Sequence, residues 1–166
     1  MYDRLTKKDI EKMEKEIEHR KLVVRKEALE DVKEARAHGD LSENFEYYAA
    51  KREKNRNESR IRFLERMIKT AQIVEDEASS EEVGLNDRVR VYMEDEDCEE
   101  EYKIVTTIRS NALKNMISIE SPLGKALLGH KKDDRVFVQV KEKVGYYVKI
   151  LEIMKSDDES EAINKF

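Results

Sequence analysis

The stretch Ala37-His38-Gly39-Asp40-Leu41-Ser42-Glu43-Asn44-Phe45-Glu46-Tyr47 decides how this chain is organised. A helical pattern runs into it from about Leu5 to His38, and a second runs out of it from about Glu43 to Val74. Only one compact turn fits between them. Gly39 is the expected helix stop, because glycine takes the left-handed cap conformation at little steric cost. Asp40 is the expected N-cap of the returning helix, with Glu43 three residues on to complete a capping box. The stretch therefore predicts an antiparallel two-helix hairpin with two carboxylates at its far end.

Those carboxylates admit two readings. In one they satisfy free amides of the new helix. In the other they present oxygens to a hard cation such as Mg²⁺, which takes few protein ligands and keeps its waters. A tip lending two ligands would complete the coordination sphere on a partner. Both readings can hold together.

The apolar residues of the two arms support the hairpin. Ile10, Met13, Ile17 and Val24 form a heptad seam interrupted at Arg20, and a later step of four to Ala28 and Val32 is a stutter. The second arm repeats the pattern at Ile61, Leu64, Ile68 and Ala71. A turn near residue 40 pairs Ile17 with Leu64, Met13 with Ile68, and Val24 with Asn57. At roughly 1.5 Å per residue each arm is about 45–50 Å long. Asn57 and Lys54 take seam positions, where polar residues fix register at some cost in stability. Most of the surrounding charges read as solvated helix faces. Arg36, Lys51 and Arg52 are the exceptions worth keeping, because they lie within a few turns of the tip.

Past the hairpin, residues 76–84 lose periodicity and read as a linker. Short strands follow at 87–93, 101–108, 115–120, 135–140 and 146–154, with Ser121-Pro122 opening a short helix closed by Gly129. Gly145 is expected in the turn before the last strand. Tyr146 and Tyr147 are expected on opposite faces of the sheet. The fold class is α+β: a hairpin over 1–75, a linker over 76–84, a globular domain over 85–154 and a frayed acidic tail over 155–166.

Composition agrees with a thin fold. Asp, Glu, Lys and Arg make up 43% of the chain, only 39% is hydrophobic, and there is no Trp, which is too little apolar material for one thick core. Residues 1–75 hold 19 Lys and Arg against 17 Asp and Glu; residues 76–166 hold 14 against 21. An acidic second half argues against a general nucleic-acid surface and for a protein partner with a basic face. Cys98 is the single cysteine, so no intramolecular disulfide forms; its acidic neighbours make it a poor nucleophile. His19, His38 and His130 show no metal-ligand spacing with it. No apolar leader or run of about 18 apolar residues is present, so a soluble, cytoplasmic protein is expected. No phosphate loop or nucleophile elbow is found.

From Ala35 to Tyr47 the sequence resembles the tip signature of the bacterial transcript-cleavage factors GreA and GreB. The resemblance continues at Ala49-Ala50, Arg60-Ile61 and Ala71-Gln72-Ile73-Val74, and again from Ile117 to Gly129 through Ser121-Pro122-Leu123-Gly124-Lys125-Ala126-Leu127-Leu128. It implies a transcription elongation factor with an FKBP-like second domain. In that family the globular domain docks on RNA polymerase at the secondary channel, and the hairpin carries its acidic tip to the active centre. There it stimulates cleavage of the backtracked RNA 3′ end by the polymerase itself, so the factor is not an enzyme.

Carried over residue by residue, Asp40 and Glu43 are the catalytic and metal-directed carboxylates, holding Mg²⁺ jointly with polymerase. Arg36, Ser42, Asn44, Phe45, Lys51 and Arg52 are the contacts near the tip. Ser121, Pro122, Leu123, Leu127 and Leu128 are the docking residues. Neither a membrane nor sequence-specific DNA is an expected partner. Two departures stand out. Phe45 replaces a frequent alanine beside the tip. The family's Arg-Pro step is Arg25-Lys26 here, so its kink is expected to be missing. An alternative within the family is a channel-binding paralogue that modulates polymerase without stimulating cleavage. Outside it stand a prolyl isomerase, disfavoured by 7% aromatics, and a scaffold hairpin whose tip acids are plain caps.

Overall fold

The computed structural model describes residues 3–39 and 44–165. The chain divides into two compact units: residues 10–71, and residues 4–9 with 72–165.

The first unit is the hairpin. Its outgoing arm runs through α1 (Lys7–His19), a π-helical turn (Arg20–Val24) and α2 (Arg25–Ala37); α3 (Phe45–Thr70) returns. Met13, Leu64, Ile61, Ala28 and Ala35 are buried between the arms, as the apolar stripes predict, while Ile17 is only half-buried. The seam is also polar. Arg20 donates to Glu16 (2.8 Å) and to Asn57 (3.0 Å), and Asn57 donates back to the Arg20 carbonyl (3.2 Å). Arg60, itself buried, donates two bonds to Glu16. Burial pushes the Glu16 carboxyl up, but donation from Arg60 and Arg20 outweighs it and leaves the group below its usual range. Arg25 clamps Glu58 with two bonds of 2.7 and 2.9 Å.

Asn57 therefore faces Arg20, not Val24 as the register arithmetic expected. The reason is the π turn. The Arg25 amide donates to the Arg20 carbonyl, one residue beyond α-helical spacing. That extra residue absorbs the phase slip that the stutter announces. Where the family resemblance led us to expect no break, this arm carries one immediately before Arg25-Lys26.

The first arm begins at Lys7, two residues later than expected. Thr6 and Asp9 form a reciprocal capping box, each side chain accepting from the other's backbone amide at 3.1 Å. Residues Arg4–Leu5 form β1, which pairs in parallel with β2 (Gln72–Ile73).

The second unit is built on a five-stranded sheet, β3 (Arg88–Met93), β4 (Cys98–Val105), β5 (Met116–Ser118), β6 (Arg135–Lys141) and β7 (Val144–Met154), in the order β5-β4-β3-β7-β6. All pairings are antiparallel except β4 with β5. The short helix α4 (Pro122–Leu127) helps close the core of Val89, Val91, Ile104, Leu127, Val138, Val148 and Ile150.

Three expectations change here. The linker assigned to 76–84 does not stay outside: Val83 is fully buried in the core. Gly145 lies in β7 opposite Gln139, and the turn falls at Glu142-Lys143. A Cβ on Gly145 would sit 2.0 Å from the Val138 carbonyl oxygen, so the glycine serves a close approach. The acidic tail is not frayed over its described length. Ile163 is buried, and the Asn164 amide donates to the Ile108 carbonyl. Glu161 meets both Lys103 and Arg109, and Glu159 meets Arg109 at 3.2 Å. Arg109 is fully buried and also contacts Asp9 (2.7 Å) and Asn86 (2.9 Å). A charge that deep needs such partners, and the sequence beyond residue 155 supplies two of them.

Candidate functional site

The tip is built where α2 ends and α3 begins. His38 closes α2, its amide donating to the Ala35 carbonyl, and Gly39 follows at φ 112°. The glycine stop is thus where the sequence put it. The returning helix is capped differently. Its N-cap is Asn44, whose Oδ1 accepts from the Tyr47 amide at 3.0 Å while its Nδ2 donates to the Ala35 carbonyl at 2.6 Å. One amide side chain thus caps the second helix and ties it to the end of the first. The cap belongs to Asn44 and not to Asp40. Asp40, Ser42 and Glu43 lie outside the described residues.

Around this cap stand the other residues singled out from the sequence. Phe45 is 85% exposed. Arg36, in the last turn of α2, places its guanidinium 5.7 Å from the Tyr47 ring centroid. Tyr47 packs edge-on against Tyr48 at 5.5 Å. A hydrogen bond from Arg36, with Lys51 and Lys54 nearby, holds the Tyr47 phenol below its usual pKa against a smaller opposing effect of burial. His38 lies 3.2 Å from Glu46. Arg36, Lys51 and Lys54 thus give the Tyr47 phenol a cationic surrounding, while Arg52 is exposed in the same stretch of α3. Sequence reasoning missed Tyr47 and placed Lys54 only in the seam. The spacing Tyr47, Lys51, Lys54 was the available signal, since residues three and four apart share a helix face.

Among the described residues no group of three or more His, Cys, Asp or Glu is placed to hold a metal ion. Cys98 is pushed up in pKa by burial and then by Glu96 and Glu100, which agrees with the poor nucleophile expected of it.

Of the docking residues named from the sequence, Pro122 is exposed, Ser121 and Leu128 are half-buried, and Leu123 and Leu127 are buried. Ser121 caps α4, its Oγ accepting from the Gly124 amide at 3.1 Å, and Pro122 follows at the first helical position. Leu127 is fully buried and Leu123 nearly so; Leu128 packs partly on the same core. These leucines cover the sheet, because a six-residue helix over five strands has no second apolar face to offer.

Residues 4–73 match the transcription elongation factor N-terminal family, and residues 78–155 match the transcription elongation factor GreA/GreB C-terminal family. The GreA of Thermoanaerobacter pseudethanolicus is 45% identical over 152 residues, covering 91% of this chain and 96% of that protein. The chain belongs to the GreA/GreB family of transcription elongation factors. The GreA of Lachnoclostridium phytofermentans is 42% identical over 154 residues, covering 92% of this chain and 96% of its own. A crystal structure of GreA factor homolog 1 (Gfh1) from Thermus thermophilus is 29% identical, covers 93% of this chain and all of that one, and has a TM-score of 0.43. As a GreA-type factor the chain combines a helical hairpin with a mostly antiparallel sheet and one short helix. Among the described residues no helix is long and apolar enough to cross a membrane.

Proposed function

We propose that this chain acts in the cytoplasm on backtracked RNA polymerase, entering the secondary channel tip first and stimulating cleavage of the RNA 3′ end. The observation that carries the reading is the match to GreA across both units. The Asn44 cap is compatible with it, since the N-cap position of α3 is filled by Asn44. In this reading water adds to the scissile phosphorus, and the bond to the upstream 3′ oxygen breaks. The upstream RNA keeps a 3′ hydroxyl, and the released fragment carries the phosphate. A Mg²⁺ held jointly with polymerase would stabilise the attacking and leaving oxygens. Asp40 and Glu43 supply carboxylate oxygens toward it and orient the water. Arg36, Lys51 and Arg52 neutralise RNA phosphate. The chain itself is not an enzyme, because the bond is cut in the polymerase's own active site.

The exposure of Phe45, 85% beside the tip, favours a second reading in which the chain occupies the channel without stimulating cleavage. One experiment separates them. Stalled, backtracked complexes with cognate polymerase and Mg²⁺ are mixed with wild type, Asp40→Asn or Glu43→Gln. The first reading expects wild-type stimulation and a loss of at least tenfold in either variant, with polymerase binding retained. Wild type that binds but does not stimulate establishes the second. Variants as active as wild type remove the metal-directed role.

A further inference from the structure

The outgoing arm of the hairpin carries apolar side chains that its own unit leaves uncovered. Leu22, in the π turn, is 66% exposed, and Leu29, in α2, is 47% exposed. The seam with α3 is filled by Met13, Ala28 and Ala35, and the two leucines lie outside it. Steps of three, four and seven residues bring Glu11, Glu18, Leu22, Lys26, Leu29 and Lys33 onto one side of the arm. All six are exposed.

Charge along this side is ordered. Glu11 and Glu18 precede Leu22, with Lys15 at the edge; Lys26 and Lys33 follow it, with Glu30 at the edge. None of these six charges forms an ion pair among the described residues. Lys21 and Arg25, cations of the same stretch, are already held by Glu65 and Glu58 of α3.

Such a face is complementary to itself. A twofold interface sets residue i against j and j against i. An antiparallel copy centred on Leu22 would put Leu22 against Leu22 at the axis. Glu18 would then meet Lys26, Glu11 would meet Lys33 and Lys15 would meet Glu30, each pair twice. The Lys26 stem would enter the open hollow lined by Glu14, Ile17, Glu18, Lys21 and Leu22, laying its methylenes on Leu22 and turning its ammonium to Glu18. A register centred between Leu22 and Leu29 fails, because it brings Lys26 against Lys26, and opposed like charges are costly. RNA fits poorly, since the glutamates before Leu22 repel phosphate.

We propose that this face pairs the chain with a second copy of itself, arm against arm and antiparallel about Leu22. The leucines supply the contact and the ordered charges set its register. With so few apolar residues on each side, and ion pairs that salt screens, the pair is weak and reversible. While it lasts, the middle of the arm is closed to any other partner.

The test is sedimentation equilibrium of the full-length chain over a concentration series at low and high salt. The variants are Leu22→Glu, Lys26→Glu, the double exchange Glu18→Lys with Lys26→Glu, and Lys69→Glu on α3 as a control. All four positions are exposed, and thermal unfolding checks each fold. Expected is a monomer–dimer equilibrium for wild type that weakens with salt. Leu22→Glu and Lys26→Glu should each weaken it at least tenfold, the double exchange should return it to within threefold of wild type, and Lys69→Glu should leave it unchanged. A wild type that stays monomeric up to about 1 mM, the range of the weakest specific association, overturns the inference. So does a dimer indifferent to Leu22→Glu, or a double exchange no better than Lys26→Glu alone. A monomeric chain whose Leu22→Glu variant loses affinity for RNA polymerase gives the face to polymerase instead and overturns it too. Sedimentation contains no polymerase, so none of its outcomes bears on the cleavage reading.

Discussion

Glu161→Ala tests whether the end of the chain is a working part of the globular unit. Glu161 is 16% exposed and faces Lys103 and Arg109, whose side chains are 1% and 0% exposed. Removing one partner of a buried ion pair costs about 3–5 kcal/mol, because the remaining charge is stranded. The low end applies. Lys103 keeps a bond to the Asp158 carbonyl at 2.8 Å, and Arg109 keeps Asp9 and Glu159. A loss of about 3 kcal/mol in a domain near 100 residues lowers Tm by roughly 12–24 °C. Glu161→Gln retains an acceptor and should lose less than half as much.

The pH dependence fixes the cause. Burial raises the Glu161 carboxyl, but Lys103 and Arg109 outweigh it and its pKa is lowered. A lowered carboxylate contributes fully above its unfolded value, about 4.3, and loses that contribution as pH falls through the folded value. The deficit of Glu161→Ala against wild type should therefore be full at pH 7 and shrink toward pH 3. Thermal unfolding across that range measures it. A variant within about 0.5 kcal/mol of wild type at pH 7, or a deficit unchanged by acid, refutes the clamp; changes that small are ordinary for surface sites.

Leu64→Ala removes a fully buried side chain from a seam two helices thick; the expected loss is near the low end of about 2–5 kcal/mol, read by denaturant unfolding. Asn44→Ala removes the α3 cap and the bond to Ala35; about 1 kcal/mol should vanish, with faster amide exchange at Tyr47 and no change in the sheet. Gly124→Ala would bring a Cβ to 2.1 Å from the Ser118 backbone carbonyl oxygen; overpacking against backbone should cost about 1–3 kcal/mol in thermal unfolding of the second unit.

How much the sequence reveals depends on the kind of interaction. Period carried the apolar seam: Met13, Ile61 and Leu64 are buried because spacing put them on one stripe. Period also carried β3, whose alternation survives as alternating burial. Two things were not legible. Capping is decided by atoms and not by residue class, so the N-cap of α3 falls on Asn44, which bonds both helices at once. Long-range charge pairing leaves no periodic trace. Nothing local marks Arg109 as buried or Glu159 and Glu161 as its partners some 50 residues away. Helical spacing likewise shows that Leu123 and Leu127 share a face, not whether that face points inward.

The parallel pairing of Arg4–Leu5 with Gln72–Ile73 has a consequence for how the chain is made. The globular unit owns residues at both ends of the described chain, and the hairpin is an insertion between two of its strands. During synthesis the hairpin emerges whole and can zip from its own turn, while Leu5 and Asp9 wait for strands made much later. Because Arg109 draws on Asp9 at one end and Glu161 at the other, the globular unit closes only after residue 161 has been made. For the same reason the hairpin is a cassette. A parallel strand pair requires a crossover of a dozen or more residues but is indifferent to its content, so arms of other lengths or tips can be spliced between Asp9 and Gln72 while the globular unit remains the same.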